Sequence, residues 1–183
     1  PYWINYRNLR NNNKKRYMLS FSAGYDILDW MNLSARVRID NADNIFTQKL
    51  YASSIATLTE GGLNGHYTEA RTYDKQTYAD VILNIDKALG KDWTIVANIG
   101  ASYNNIGTDE LRYGGPIQDN GLANVFNVFD LDDTKKRASK SGWNDETQSV
   151  FGSVELGWKK MLYITATGRN DWASQLAGSS ERS

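Results

Sequence analysis

The sequence contains no cysteine, which excludes both a disulfide framework and thiolate metal sites. It also lacks any run of about 18 consecutive apolar residues, which excludes a transmembrane helix. The mean hydropathy is correspondingly low, at -0.58. A transmembrane β-barrel remains compatible with this composition, because only alternate residues of its strands need to be apolar.

An excess of charge of either sign is missing as well. Lys and Arg together number 21, and Asp and Glu together number 21, so the formal net charge is zero. This balance gives no general attraction to nucleic acid or to an anionic membrane surface. The 183 residues suffice for one ordinary domain. Because the chain starts at Pro1 rather than at Met and ends on the loop-like "SSERS", we expect a piece of a longer chain.

What the sequence does contain is alternation of apolar and polar residues, which is typical of β-strands. In "RYMLSFSAGYDI", Tyr17, Leu19 and Phe21 fall on one face, and the residues between them are mostly polar. Such segments are about twice as long as the average soluble strand of ~5–6 residues, and long enough for a tilted strand to cross a bilayer. We predict six strands: Arg16–Ile27, Met31–Asp40, Thr77–Leu89, Trp93–Tyr103, Thr147–Trp158 and Leu162–Asp171.

The connections between these strands alternate in length. Three are short turns, at 28–30, 90–92 and 159–161, and two are long polar stretches, Asn41–Gln76 and Asn104–Glu146. Short turns on one side and long loops on the other are typical of outer-membrane barrels. We therefore predict an all-β fold: an antiparallel transmembrane β-barrel segment with short periplasmic turns and long extracellular loops. Since the smallest such barrels have about eight strands, the six would belong to a larger barrel.

The polar faces of the predicted strands carry many charges. In a barrel these faces would line the lumen, because a charge turned to lipid costs about 2–4 kcal/mol at the membrane midplane. In a soluble β-sandwich the same faces would meet bulk solvent. The residues predicted to face the lumen are Arg36, Arg38, Asp80, Asn84, Asn98, Glu155, Arg169 and Asp171.

Tyr and Trp residues occur in the apolar phase near both ends of the strands. Amphipathic rings at two levels are expected where a barrel crosses two membrane interfaces. The alternative is that these residues are simply good strand formers. The residues predicted to form the membrane girdle are Tyr17, Tyr25, Trp93, Tyr103, Trp158 and Trp172.

Catalytic and metal-binding patterns are nearly absent. His66 is the only histidine and falls in a predicted loop, without a spacing that favours a catalytic triad. The acidic clusters 40–44 and 130–133 lack the glycine and terminal glutamate of a calcium loop. We therefore predict no enzyme activity, no cofactor and no metal. The basic run 7–16 either meets lipopolysaccharide phosphates or is a solvated loop flank.

The long stretch 109–133 mixes aromatic, amide and carboxylate side chains. Such a mixture suits sugars or peptides in a wet cleft. It is equally compatible with a loop that folds on itself or packs against neighbouring loops. The residues predicted to contact a ligand or a lid protein are Arg112, Tyr113, Asn124 and Asn127.

One hairpin resembles a known family. "FGSVELGWKKMLYITATGRNDWASQL" (151–176) resembles the SusC/RagA family of TonB-dependent outer-membrane transporters, with support from 1–40 and from "GPIQDNGLANVFNVFDLDD" (115–133). The resemblance covers nearly the whole chain, and "TGRNDW" is its most specific stretch.

The resemblance implies that residues 1–183 are part of the barrel domain of a TonB-dependent receptor. Such a receptor looks like a plugged, many-stranded barrel, and the plug and the remaining strands are absent from this chain. A SusD-like surface lipoprotein would cap the barrel, and the TonB complex, acting through a region outside this chain, would drive uptake of oligosaccharides or peptides.

The resemblance places the chain in the outer membrane of a Gram-negative bacterium, as a multi-pass protein in contact with lipid and lipopolysaccharide. No nucleic-acid partner is expected. Two rival interpretations remain: a soluble β-sandwich that binds carbohydrate, and a passive porin or adhesin barrel.

Overall fold

A computed structural model of the chain describes residues 6–176 and is almost entirely β-structure. Six antiparallel strands form one sheet, in which each strand lies beside its neighbours in sequence. Within the described part of the chain no helix is long and apolar enough to cross a membrane. The strands are β1 (Arg10–Leu28), β2 (Met31–Tyr51), β3 (Gly65–Leu89), β4 (Trp93–Pro116), β5 (Arg137–Trp158) and β6 (Leu162–Ala173).

The three short turns lie where the alternation predicts them. They connect β1 to β2, β3 to β4, and β5 to β6. In the last turn Lys159 and Lys160 both have positive φ, at 49° and 57°. The Met161 N–H donates to the Trp158 carbonyl at 2.9 Å and closes this turn. Positive φ at successive central residues matches the twist of the flanking strands, so this backbone favours a tight hairpin.

At their other ends the strands are much longer than predicted. The stretches Asn41–Gln76 and Asn104–Glu146 were expected to be loops, but the connections occupy only 52–64 and 117–136. The prediction was wrong because apolar and polar residues alternate along a strand only where the two faces of the sheet differ in polarity. Where both faces are polar the period disappears, although the backbone groups continue to pair.

The contacts divide the chain into two units, which are described separately. Within residues 6–176, the turn-end unit comprises 17–41, 75–107 and 144–176, and it contains all three short turns. The loop-end unit comprises 6–16, 42–74 and 108–143, and it contains both longer connections.

In the turn-end unit the apolar face of the sheet is uncovered. Phe21 is 69% exposed, Val81 49% and Leu156 39%, although each has a large apolar side chain. The described strands all belong to one sheet, so they supply no second layer to bury this face. A soluble protein rarely leaves so extended an apolar surface in water.

The loop-end unit has a small core built where the connections meet the sheet. Ile117 and Leu131 pair through an isolated bridge and are 1% and 3% exposed. Thr59 is buried with them. Gly65 begins β3 with φ at 110°, and a Cβ atom there would lie 2.6 Å from the Leu50 carbonyl oxygen. Only glycine fits this backbone and this close approach.

Candidate functional site

The polar face of the turn-end unit carries hydrogen bonds that cross between strands. The Arg36 guanidinium on β2 donates from Nε and Nη2 to Asp80 Oδ2 on β3, at 2.9 and 2.7 Å. The Asp80 side chain is only 4% exposed, whereas that of Arg36 is 46% exposed. Further along the sheet, Ser153 Oγ donates to Asn98 Oδ1 at 3.0 Å. These bonds join β2 to β3 and β4 to β5, and Asn84 of β3 and Asn98 of β4 line one pocket. Polar side chains of four neighbouring strands thus lie on one side of the sheet.

The last hairpin continues the same face. Thr165 Oγ1 donates to Glu155 Oε2 at 3.2 Å. Arg169 donates from Nη2 to Ser149 Oγ at 3.1 Å and from Nε to Asp171 Oδ1 at 2.8 Å. The β5–β6 register pairs Ser149 with Asp171 and Glu155 with Thr165, so these side chains share a face of the antiparallel pair.

The predicted lumen residues therefore have a common location. Six of the eight take part in the hydrogen bonds just described, and alternation along β2 and β3 puts Arg38 with Arg36 and Asn84 with Asp80. That this face surrounds an aqueous lumen stays a prediction.

The predicted girdle residues lie in the turn-end unit. The rings of Trp93 and Trp158 are 6.5 Å apart, beside the short turns. Tyr103 and Trp172 line one shallow apolar groove with Val150. Tyr17, which accepts a hydrogen bond from Asn41 Nδ2 at 2.8 Å, and Tyr25 are both mostly exposed. Their contact with membrane interfaces stays a prediction.

The loop-end unit contains an open cleft of about 920 Å³. One wall is formed by alternate residues of β2, β3 and β4, and the remainder by residues near the start of β1 and by the 52–64 connection. The lining residues are Asn8, Leu9, Arg10, Phe46, Gln48, Leu50, Leu58, Glu60, His66, Thr68 and Arg112.

His66 lies in β3, not in a loop as predicted, because the strand begins at Gly65. Its Nε2 atom is 3.7 Å from Glu60 Oε1, and Glu60 Oε2 accepts from Arg137 Nη2 at 2.7 Å. The His66 Nδ1 atom is buried and has no hydrogen-bond partner among the described residues. Burial lowers the pKa of His66 below its usual value, although the Glu60 carboxylate opposes this shift. The imidazole is therefore neutral at pH 7.

On β3 and β4 a second cluster joins two phenols to one carboxylate. Tyr67 donates its hydroxyl to Glu69 Oε2 at 2.6 Å, and Tyr113 also hydrogen-bonds Glu69. Burial and this carboxylate raise the pKa of Tyr67, and they raise the pKa of Tyr113 to about 12. Phe126, from the 117–136 connection, packs against Tyr67 and Tyr51, with ring centroids 6.4 and 5.0 Å apart.

The four predicted ligand or lid contacts lie in different places. Arg112 lines the cleft, whereas Tyr113 is held by Glu69. Asn124 has positive φ, and its Oδ1 accepts from the Ala52 N–H at 2.8 Å. Asn127 caps a short 3-10 helix, Val128–Asp130, by accepting from the Phe129 N–H. The structure thus brings only Arg112 into the cleft, and ligand contact by all four residues stays a prediction.

The cleft includes residues that were not predicted from the sequence to contact a ligand. Arg10, Gln48 and Thr68 fall in stretches that were predicted to be loops or loop flanks. A weak signal was present, because Phe46 and Leu50 flank Gln48 at a spacing of two. Among the described residues, no three His, Asp or Glu side chains are grouped so that they could hold a metal ion.

The fold is similar to that of two solved transporter chains. The structure of the RagAB peptide importer in the "closed-closed" state matches with a TM-score of 0.67 and 15% identity over 90% of this chain. The structure of the RagAB peptide transporter matches with a TM-score of 0.69 and 15% identity over 93% of this chain. The chain spans 18% and 19% of the length of these two relatives.

No family model matches the sequence. No curated protein matches it either. The structural likeness, at this level of identity, shows the fold. The predicted fold class is therefore confirmed: the described strands are folded as a section of a β-barrel, and their sheet is not closed within this chain.

Proposed function

We propose that this chain is a section of the barrel wall of a TonB-dependent outer-membrane importer of the SusC type. The observation that carries the proposal is the uncovered apolar face of the turn-end unit, opposite a face of hydrogen-bonded charges. An uncovered apolar face suits lipid, and a satisfied polar face suits an enclosed aqueous channel. The likeness to RagAB chains supports a transporter.

In this proposal the importer takes up glycans or peptides, with no bond chemistry. A SusD-like surface lipoprotein closes the outer mouth, and the TonB complex acts through a part of the protein outside this chain. The lumen charges contact the plug and border the substrate route. Lipid surrounds the apolar face, and lipopolysaccharide surrounds the outer rim in the outer membrane of a Gram-negative bacterium.

The orientation of the two faces can be tested by cysteine labelling, since this chain has no cysteine of its own. We would introduce Val81→Cys and Leu156→Cys on the apolar face, and Arg38→Cys and Asn84→Cys on the polar face. In full-length protein in outer-membrane vesicles, a lipid-soluble maleimide should label the first pair and a small water-soluble maleimide the second. Protection of the first pair from both reagents would favour the soluble β-sandwich, because a sandwich buries its apolar face against a second sheet.

Energy coupling separates an importer from a passive barrel. Cells expressing the full-length protein should accumulate a fluorescent oligopeptide or oligosaccharide, and deletion of TonB should abolish this uptake. An unrelated fluorescent molecule of similar size serves as the control for leakage through the membrane. Uptake that continues without TonB would contradict the proposal and support a passive pore.

A further inference from the structure

We propose that the loop-end cleft binds a side-chain carboxylate of an oligopeptide through Arg10 and Arg112. This inference rests on the proposed importer function and narrows its substrate class from glycans or peptides to peptides with acidic side chains. It concerns the cleft of about 920 Å³, which is large enough for several residues of an extended peptide.

The charges around the cleft favour an anion. Arg10 and Arg112 both line it. The one carboxylate in its lining, Glu60, is occupied by Arg137, whose Nη2 lies 2.7 Å from Glu60 Oε2. Glu110 is 3.7 Å from Arg112 Nε and offsets that guanidinium only in part. The lining thus contains two guanidinium groups and one carboxylate, and it carries net positive charge.

The remaining lining suits a peptide better than a sugar. Leu9 and Leu58 both line the cleft and are 56% and 47% exposed, so they are accessible to a ligand. Together with Leu50 and Phe46 they offer apolar contacts of the size of peptide side chains. Asn8, Gln48 and Thr68 supply amide and hydroxyl groups that match the hydrogen-bonding groups of a peptide backbone.

His66 also lines the cleft and is largely buried. Burial lowers the pKa of its imidazole below the usual value and so favours the uncharged form. Arg10 and Arg112 are therefore the permanently charged donors in the lining. Arginine suits this role, since its planar guanidinium matches a carboxylate with two parallel hydrogen bonds.

The test measures peptide affinity by calorimetry on the full-length protein in lipid nanodiscs. The probes are a C-terminally amidated, leucine-rich heptapeptide with two glutamates, the same amidated peptide with glutamine at both positions, and a neutral maltooligosaccharide. We expect the glutamate peptide to bind at least tenfold more tightly than the glutamine peptide, and rising salt to reduce that difference. Equal affinities for the two peptides, or tighter binding of the oligosaccharide, would overturn the inference.

Variants assign the effect to the arginines. Arg10→Gln and Arg112→Gln should each weaken binding of the glutamate peptide about tenfold, the loss of one charge-assisted contact, and change binding of the glutamine peptide less than twofold. The matched control is Arg71→Gln. Arg71 lies on β3, like His66, and its exposed guanidinium is bound to Asp43. Arg71→Gln should leave both affinities unchanged. A loss as large in this control as in Arg112→Gln would contradict the assignment.

Further measurements distinguish a peptide site from a general anion site, and a binding defect from a folding defect. If millimolar inorganic phosphate displaces the glutamate peptide, the cleft is a general anion site and the peptide assignment is wrong. Retention of the β-barrel gel-mobility shift by each variant shows that it has folded, and Arg112→Lys, which keeps the charge, should restore part of the affinity. If peptides are taken up in a TonB-dependent way but without a preference for acidic ones, this inference is wrong. The proposed importer function would not be affected by that result.

Discussion

Arg36 and Asp80 form a hydrogen-bonded ion pair between β2 and β3, in which both guanidinium contacts, at 2.9 and 2.7 Å, reach the same carboxylate oxygen. The carboxylate is buried and the guanidinium is half exposed. A pair of this kind fixes the alignment of two neighbouring strands, because a shift of one residue would turn one partner to the opposite face.

We expect Asp80→Ala to destabilise the full-length protein by about 1–3 kcal/mol, since it removes two charge-assisted hydrogen bonds and leaves Arg36 to solvent. Denaturant unfolding in detergent micelles measures the change. The control is Arg38→Ala, an exposed position on the same strand, which should change the free energy of unfolding by less than about 0.5 kcal/mol. A similar effect of both substitutions would show that the contact has no special role.

The apolar face gives a second prediction. Val81→Arg should destabilise the protein in lipid vesicles by about 2–4 kcal/mol, because an exposed apolar position there would place the charge in hydrocarbon. Asn84→Arg, on the polar face of the same strand, is the matched control and should cost much less. In a water-exposed sheet Val81→Arg would be nearly neutral, so a small effect would contradict the membrane orientation.

His66 gives a pH dependence. Its folded-state pKa lies below the usual value of 6.5, because burial disfavours the imidazolium. The contribution of His66 to stability is therefore complete above pH 6.5 and decreases as the pH falls below it, since the unfolded chain then binds a proton that the folded chain resists.

The measurement for His66 is the midpoint of thermal unfolding at pH 7.5 and at pH 5.5. The wild type should lose more stability over this interval than His66→Gln, which removes the titrating group beside Glu60 and Arg137. An identical loss in both proteins would show that other groups cause the pH dependence.

The two connections at the loop end are joined by one amide group. Asn64 Nδ2 donates to the carbonyls of Gln118, Asp119 and Gly121, at 2.8, 3.2 and 3.1 Å. Asn64→Ala should release the 117–136 connection and lower its hydrogen-exchange protection by a factor corresponding to about 1–3 kcal/mol.

Exchange measured by mass spectrometry on peptides from 117–136 would show this release, while peptides from β5 and β6 should stay unchanged. Asn120→Ala lies in the same connection, is exposed, and serves as the control. Unchanged protection in Asn64→Ala would mean that other contacts, such as Ile117 with Leu131 and Asn124 with Ala52, hold the connection without the Asn64 side chain.

The turn-end unit could be predicted from the sequence almost completely. Its strands and its three turns follow from the contrast between residues such as Leu19 and Val81 on one face and Arg36 and Asp80 on the other. The Lys159–Lys160 turn lacks the usual Asn-Gly signal, but the alternation on both sides still located it.

The loop-end unit could not be predicted in the same way. There β2, β3 and β4 continue through residues that are mostly polar on both faces, so only a weak hydrophobic period, at Phe46 and Leu50, marks them. Arg112 was identified as a possible ligand contact from the composition of its stretch alone. His66 and Arg10 share its cleft only because the strands continue beyond their last alternating residues.

The strand order has a consequence for how this wall is made. Each strand pairs only with the strands before and after it in the chain, and no pairing within residues 6–176 waits for a distant segment. Each strand can therefore pair with the strand that precedes it in the chain. The sheet can then form by the addition of one hairpin after another. Contacts between near neighbours cost little loop-closure entropy, so a wall of this design avoids the slow search that distant strand partners impose.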